Sequence, residues 1–164
     1  MNSKIKDIVR LSIISALYVV LTVMNPFSYN MIQFRISEIL MLLCFFRKDY
    51  SYALIVGCFI SNLFSEIMLY DIIFGTFATV ISCIVINNTK NIYIAGIAPV
   101  VFNGLIVGAE LSIAFQTPYF LNVFWVSLGE LVVMIIGVLA FLKLKNNTDF
   151  MELIKANRNI KDDW

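Results

Sequence analysis

Six apolar stretches broken by short polar links restrict the fold of this chain more than any other feature. They cover residues 8–24, 36–46, 52–69, 71–86, 92–115 and 121–142. A helix needs about 20 apolar residues to cross a bilayer, and most of these stretches approach that length. Asn25-Pro26 closes the first, because proline cannot continue a helical hydrogen-bond ladder. The second, 36–46, is about half of a full span. With 60% apolar residues and a mean hydropathy of +0.88, the chain lies well beyond an ordinary soluble domain. The reading is an all-α integral membrane protein: a six-transmembrane-helix bundle in one domain, residues 1–145, followed by a cytoplasmic polar tail, residues 146–164. The first stretch follows Lys4, Lys6 and Arg10 but lacks a small-residue cleavage pattern, so it reads as a retained helix.

Cytoplasmic loops of membrane proteins carry an excess of Lys and Arg. With six spans and the N-terminus inside, the inner segments hold Lys4, Lys6, Arg10, Arg47, Lys48, Lys90, Lys143, Lys145, Lys155, Arg158 and Lys161, which is eleven of the twelve basic residues. Both termini are therefore expected in the cytoplasm. Arg35 alone falls on the outer side. It is either an arginine reaching for the headgroups or one with a pairing or ligand role.

Several chemistries are excluded. The chain has no His, so serine–histidine proteolysis, HExxH zinc chemistry and His-based metal capture lack their central residue. Without a nucleophile and base pair, a membrane enzyme is the weakest reading. No GxxxxGK[ST] run is present, so ATP-driven work needs a partner. Cys44, Cys58 and Cys83 sit in apolar runs without CxxC spacing and read as small core residues. A net charge of +1 gives no argument for nucleic acid, and no metal or cofactor is expected.

Polar residues inside apolar spans are costly and tend to face a cavity or a partner. Glu38, Glu66, Asp71, Glu110 and Glu130 lie in or beside the spans. The orientation puts the first four in the outer half and Glu130 deepest, near the midplane. Asn103 and Glu110, seven residues apart, share one helical stripe; Asn62 and Glu66 share another, and Asn122 and Glu130 a broad face. Tyr29, Phe34, Tyr119 and Trp125 add aromatics at the outer level, where an interfacial belt is the simpler account. Arg35 and Glu38, three apart, stand on neighbouring helical positions at the head of the short second stretch. Residues 33–38 thus read as an outer lid, with Glu38 either a ligand or the partner that holds Arg35. Carboxylates only accept hydrogen bonds; a guanine-like ring with adjacent N–H and NH2 donors, an amine or a cation would all suit them.

Small residues recur at helix-contact spacing: Ser12/Ala16, Gly57/Ser61 and Gly104/Gly108, with Ser112 one turn further on. The second and third pairs suit packing inside the bundle. Ser12/Ala16 could equally face another subunit.

Four ordered stretches carry a family resemblance: residues 34–38 (FRISE), 71–79 (DIIFGTFAT), 102–111 (FNGLIVGAEL) and 129–133 (GELVV). They resemble the signature stretches of the QueT family, the substrate-binding S components of energy-coupling factor transporters associated with queuosine precursors. The resemblance implies a six-helix bundle that captures its substrate near the outer face. It also implies a coupling membrane subunit and two ATPase subunits as partners, docking through Ser12 and Ala16. The implied ligand is a 7-deazaguanine: queuine, or the aminomethyl or cyano precursor base. The candidate substrate-binding residues are Glu110, Glu130, Asn103, Glu38, Arg35, Phe34, Asp71 and Trp125. Two other readings are open: an S component for another vitamin or nucleobase, and a carrier working alone on a proton gradient.

Overall fold

The computed structural model describes residues 3–30 and 32–156, and within them every regular element is helical. The expected inner residues Arg158 and Lys161 lie outside that range. Helix α1 is Ser3–Val23. Helix α2 spans Ile36–Phe46, opening as a 3-10 turn over Ile36–Leu42. Helix α3 is Tyr50–Asn62, and α4 is Met68–Asn88 with a π-helical turn at Asp71–Gly75. Helices α5 and α6 are Ile92–Phe115 and Tyr119–Leu144. A short α7, Thr148–Leu153, follows.

Among the described residues three helices, α4, α5 and α6, are long and apolar enough to cross a membrane; α2 and α3 are shorter apolar helices. Helix α1 has 21 residues, but its first turns carry Lys4, Lys6, Asp7 and Arg10. Helix α3 departs from the 52–69 expectation by stopping at Asn62. The backbone tightens there into successive i−3 turns at Leu63, Phe64 and Ser65, and the Asn62 amide turns to the Asp71 carbonyl at 2.7 Å. Glu66, expected on the α3 stripe with Asn62, consequently sits in an exposed link off any helix.

Polarity is arranged inside out. Large apolar side chains such as Ile13, Phe77, Ile84, Leu105, Ile135 and Leu139 face outward, while Glu38, Asp71, Glu110, Asn122 and Glu130 are sealed inside. A water-soluble domain would not leave so much apolar surface exposed; a lipid-facing one does. This is a membrane protein.

Helix α2 runs through the centre. Met41, Leu42, Cys44 and Phe46 are fully enclosed, with Tyr18, Tyr50, Leu54 and Phe141 around them. From Ile39 to Phe46 the helix is apolar on every side, the mark of a buried helix. All three cysteines are free and buried, as their setting predicted. Helices α5 and α6 meet through glycines: a Cβ on Gly108 would stand 2.9 Å from the Val123 backbone nitrogen. Gly57 likewise backs onto Ser15 and Tyr18 of α1. The Gly57/Ser61 and Gly104/Gly108 pairs are thus internal packing contacts. Ser12 and Ala16 differ; they lie exposed along an apolar groove of about 630 Å³ between α1 and α3.

The polar tail is less detached than its composition suggests. Ile154 is buried, its carbonyl accepts the Tyr50 hydroxyl at 3.0 Å, and Phe150 packs edge-on to Phe141. Lys155 reaches Asp7 at 3.2 Å, and Arg10 and Arg47 crowd the same carboxylate. The Lys155 hydrogen bond leads in holding Asp7 below the usual carboxylate range, helped by those three cations against some desolvation.

Helix α5 ends on Gln116 in the left-handed region, φ 53°, where glycine carries no Cβ penalty. Gln116→Gly should raise stability by about 0.5–1 kcal/mol, read as a higher unfolding midpoint in detergent.

Candidate functional site

The site is a set of buried polar side chains at the end of the bundle opposite Asp7. Five elements supply it. Helix α1 contributes Tyr18 and Thr22, one turn apart on its inner face. The Tyr18 hydroxyl donates a short hydrogen bond to Glu38 Oε1, and the Thr22 and Ser37 hydroxyls pair at 2.6 Å. These contacts tie α1 to the first turn of α2. Glu38 is 1% exposed, and its second oxygen has no hydrogen-bond partner among the described residues.

Helices α5 and α6 carry an amide and a carboxylate each, in opposite order. Asn103 of α5 donates to Glu130 of α6 at 3.1 Å, and the same amide faces Glu38. Asn103, Glu130, Glu38 and Tyr18 form one tier. Seven residues further along α5, about 10 Å, stands Glu110. It is fully enclosed, and among the described residues neither carboxylate oxygen meets an N–H or hydroxyl donor. On α6, Asn122 donates to Thr117 Oγ1 at 2.8 Å, and Thr117 donates in turn to the Leu111 carbonyl at 3.4 Å. That puts Asn122 level with Glu110, its own Oδ1 buried and unpartnered.

Arg35 and Asp71 close this second tier. The guanidinium meets Asp71 Oδ1 at 2.9 Å, donates from Nε to the Ser28 carbonyl at 3.0 Å and lies over the Tyr29 ring at 5.7 Å. Ser65 donates a short hydrogen bond to the other Asp71 oxygen. The π-helical turn that begins at Asp71 brings its carboxylate inward; such turns are frequent at functional sites. Glu110 faces the same carboxylate. The pairing corrects one expectation: Arg35 is held by Asp71, not by Glu38, whose partner is Tyr18. The lid expectation for residues 33–38 changes as well, since Gln33, Arg35, Ser37 and Glu38 are buried wall rather than exposed rim.

The loop ahead of α2 lies directly on α6. A Cβ on Gly129 would stand 2.1 Å from the Ile32 carbonyl oxygen, so only glycine admits that approach beside Glu130. Gln33 holds the turn with φ 49°. Phe34 is half-buried, and its backbone nitrogen and carbonyl bind Phe27 and Asn25. Trp125 is half-buried with its ring edge-on to Phe124. The structure thus gathers Glu38, Asn103, Glu130, Arg35, Asp71 and Glu110 and leaves the two aromatics nearer the periphery.

The sequence model of the QueT transporter family matches residues 8–146. The chain belongs to the QueT transporter family. It is 32% identical over 172 residues to the queuosine precursor transporter QueT of Lactococcus lactis subsp. cremoris (strain MG1363), an alignment that covers 90% of this chain and 97% of the relative. No solved structure matches the chain. As a QueT family member it is a transport component and not an enzyme. The match takes in all four signature stretches, and every carboxylate of the two tiers lies within one of them.

Sequence reasoning passed over Tyr18, Thr22 and Ser65 in this QueT site. Tyr18 and Thr22 had a signal: two hydroxyls four residues apart in an otherwise apolar stretch mark one face. Ser65 had none, because its role depends on where α3 stops.

Proposed function

We propose that this chain is the substrate-capture component of an energy-coupling factor importer, binding a queuosine precursor at its outer end for ATP-driven uptake. In this reading it is a six-helix, multi-pass protein of the cell membrane with both termini in the cytoplasm. A coupling membrane subunit and two ATPase subunits supply the drive, and the exposed Ser12/Ala16 face of α1 docks on the coupling subunit. The ligand is a 7-deazaguanine base: queuine, or its aminomethyl or cyano precursor.

One observation carries the substrate assignment. Glu38, Glu110 and Glu130 are sealed inside the bundle, the lactococcal relative is a queuosine precursor transporter, and Glu38 and Glu110 keep oxygens that no N–H or hydroxyl donor among the described residues uses. A guanine edge supplies the N–H and NH2 donors that such acceptors lack. The carboxylates are closed from solvent, so a base reaches them only when the bundle opens.

Titration of the purified chain with 7-deazaguanine bases tests this. Glu110→Gln and Glu130→Gln keep shape but lose the charge, and each should weaken binding of at least one base about 10- to 100-fold, the worth of a charge-assisted hydrogen bond. If both variants bind every base as tightly as the parent, the assignment is wrong.

A further inference from the structure

We infer that the two tiers divide the ligand between them, the Glu38–Asn103–Glu130 tier holding the guanine edge and the Glu110–Asn122 tier holding a cationic amine, so that the chain selects an amine-bearing 7-deazaguanine over the neutral nitrile. The inference rests on the function proposed above and adds the ligand's charge and its direction in the site.

Charge and hydrogen-bond satisfaction support it together. The cluster holds four carboxylates, Glu38, Asp71, Glu110 and Glu130, and one cation, Arg35. Arg35 and Asp71 neutralise each other at 2.9 Å. Among the described residues the remaining three form no salt bridge. Glu38 and Glu130 do meet neutral donors, from Tyr18 and Asn103. Among the described residues Glu110 meets no N–H or hydroxyl donor, although both its oxygens are buried; its polar neighbour is the Asp71 carboxyl, a second acid at the same place. An ammonium group is the one ligand end that brings charge and three donors to a single point. The Glu110 carboxyl, beside that of Asp71, and the Asn122 Oδ1 on the facing helix are buried acceptors that meet no N–H donor among the described residues. A nitrile offers only an acceptor, so it sets like against like in an enclosed site, the repulsive element from which specificity is built. The separation of about 10 Å along α5 between Asn103 and Glu110 suits a bicyclic base with a short arm.

The test compares the aminomethyl and cyano 7-deazaguanine bases, near in shape and different in charge, by titration into the parent, Glu110→Gln, Glu110→Asp and Glu130→Gln. The parent should bind the aminomethyl base at least tenfold more tightly. Glu110→Gln should remove most of that preference, Glu110→Asp should keep it, and Glu130→Gln should weaken both bases alike. Equal binding of the two bases by the parent overturns the inference and leaves the functional reading standing, as does a preference lost in Glu130→Gln but kept in Glu110→Gln. Binding of neither base by the parent overturns both.

Discussion

Replacing Arg35 with methionine should cost about 3–5 kcal/mol of stability, because it leaves the Asp71 carboxylate buried beside Glu110 without its cation. Arg35 and Asp71 are only 5% and 1% exposed at the side chain, and their contact of 2.9 Å bridges the loop before α2 to the π-helical turn of α4. Asp71→Leu should cost a similar amount from the other side. The double replacement, Arg35→Met with Asp71→Leu, removes both charges and should recover most of the loss, since an apolar pair of similar volume can match a buried ion pair. Unfolding midpoints of the three variants in one detergent measure this. Additive losses in the double variant would mean that the two groups are not energetically coupled.

Gly129→Ala carries the second large effect. The added Cβ would sit 2.1 Å from the Ile32 carbonyl oxygen, a backbone atom that cannot rotate away. The loop before α2 must lift from α6, at a cost of about 1–3 kcal/mol or more. The neighbouring residue is Glu130, and the lifted segment leads into Arg35 and Glu38. Ligand affinity should therefore fall at least tenfold, a loss larger than any from Gly108→Ala, whose contact with Val123 lies on the α5–α6 seam away from that loop. Titration of the two alanine variants side by side checks the ordering.

Legibility from sequence followed the range of the interactions. The limits 92–115 for α5 and 36–46 for α2 coincide with the structure, because turn residues and hydropathy set them locally. The carboxylates Glu110 and Glu130 stood out because an acid in an apolar helix is conspicuous at any distance from its partners. What could not be read was the pairing. Arg35 and Glu38 are three apart and look like partners, yet Arg35 closes on Asp71, 36 residues away. That choice depends on a π-helical turn that no local pattern announces, and on α3 ending at Asn62. Asn62 looked like an interior position of a longer helix. Its amide binds the Asp71 carbonyl instead, and five residues expected in the span become the link that carries Ser65. The contacts of the tail were unreadable for a similar reason: Ile154 and Phe150 meet Tyr50 of α3 and Phe141 of α6, which are distant in sequence or joined through a turn.

The central claim, capture of a queuosine precursor by the buried carboxylates, is tested most directly by native mass spectrometry of the purified chain. The account predicts a bound species with the mass of an amine-bearing 7-deazaguanine, retained by the parent and lost from the Glu110→Gln, Glu130→Gln double variant. A tightly held molecule without a deazaguanine ring, displaced by neither substitution, would contradict it.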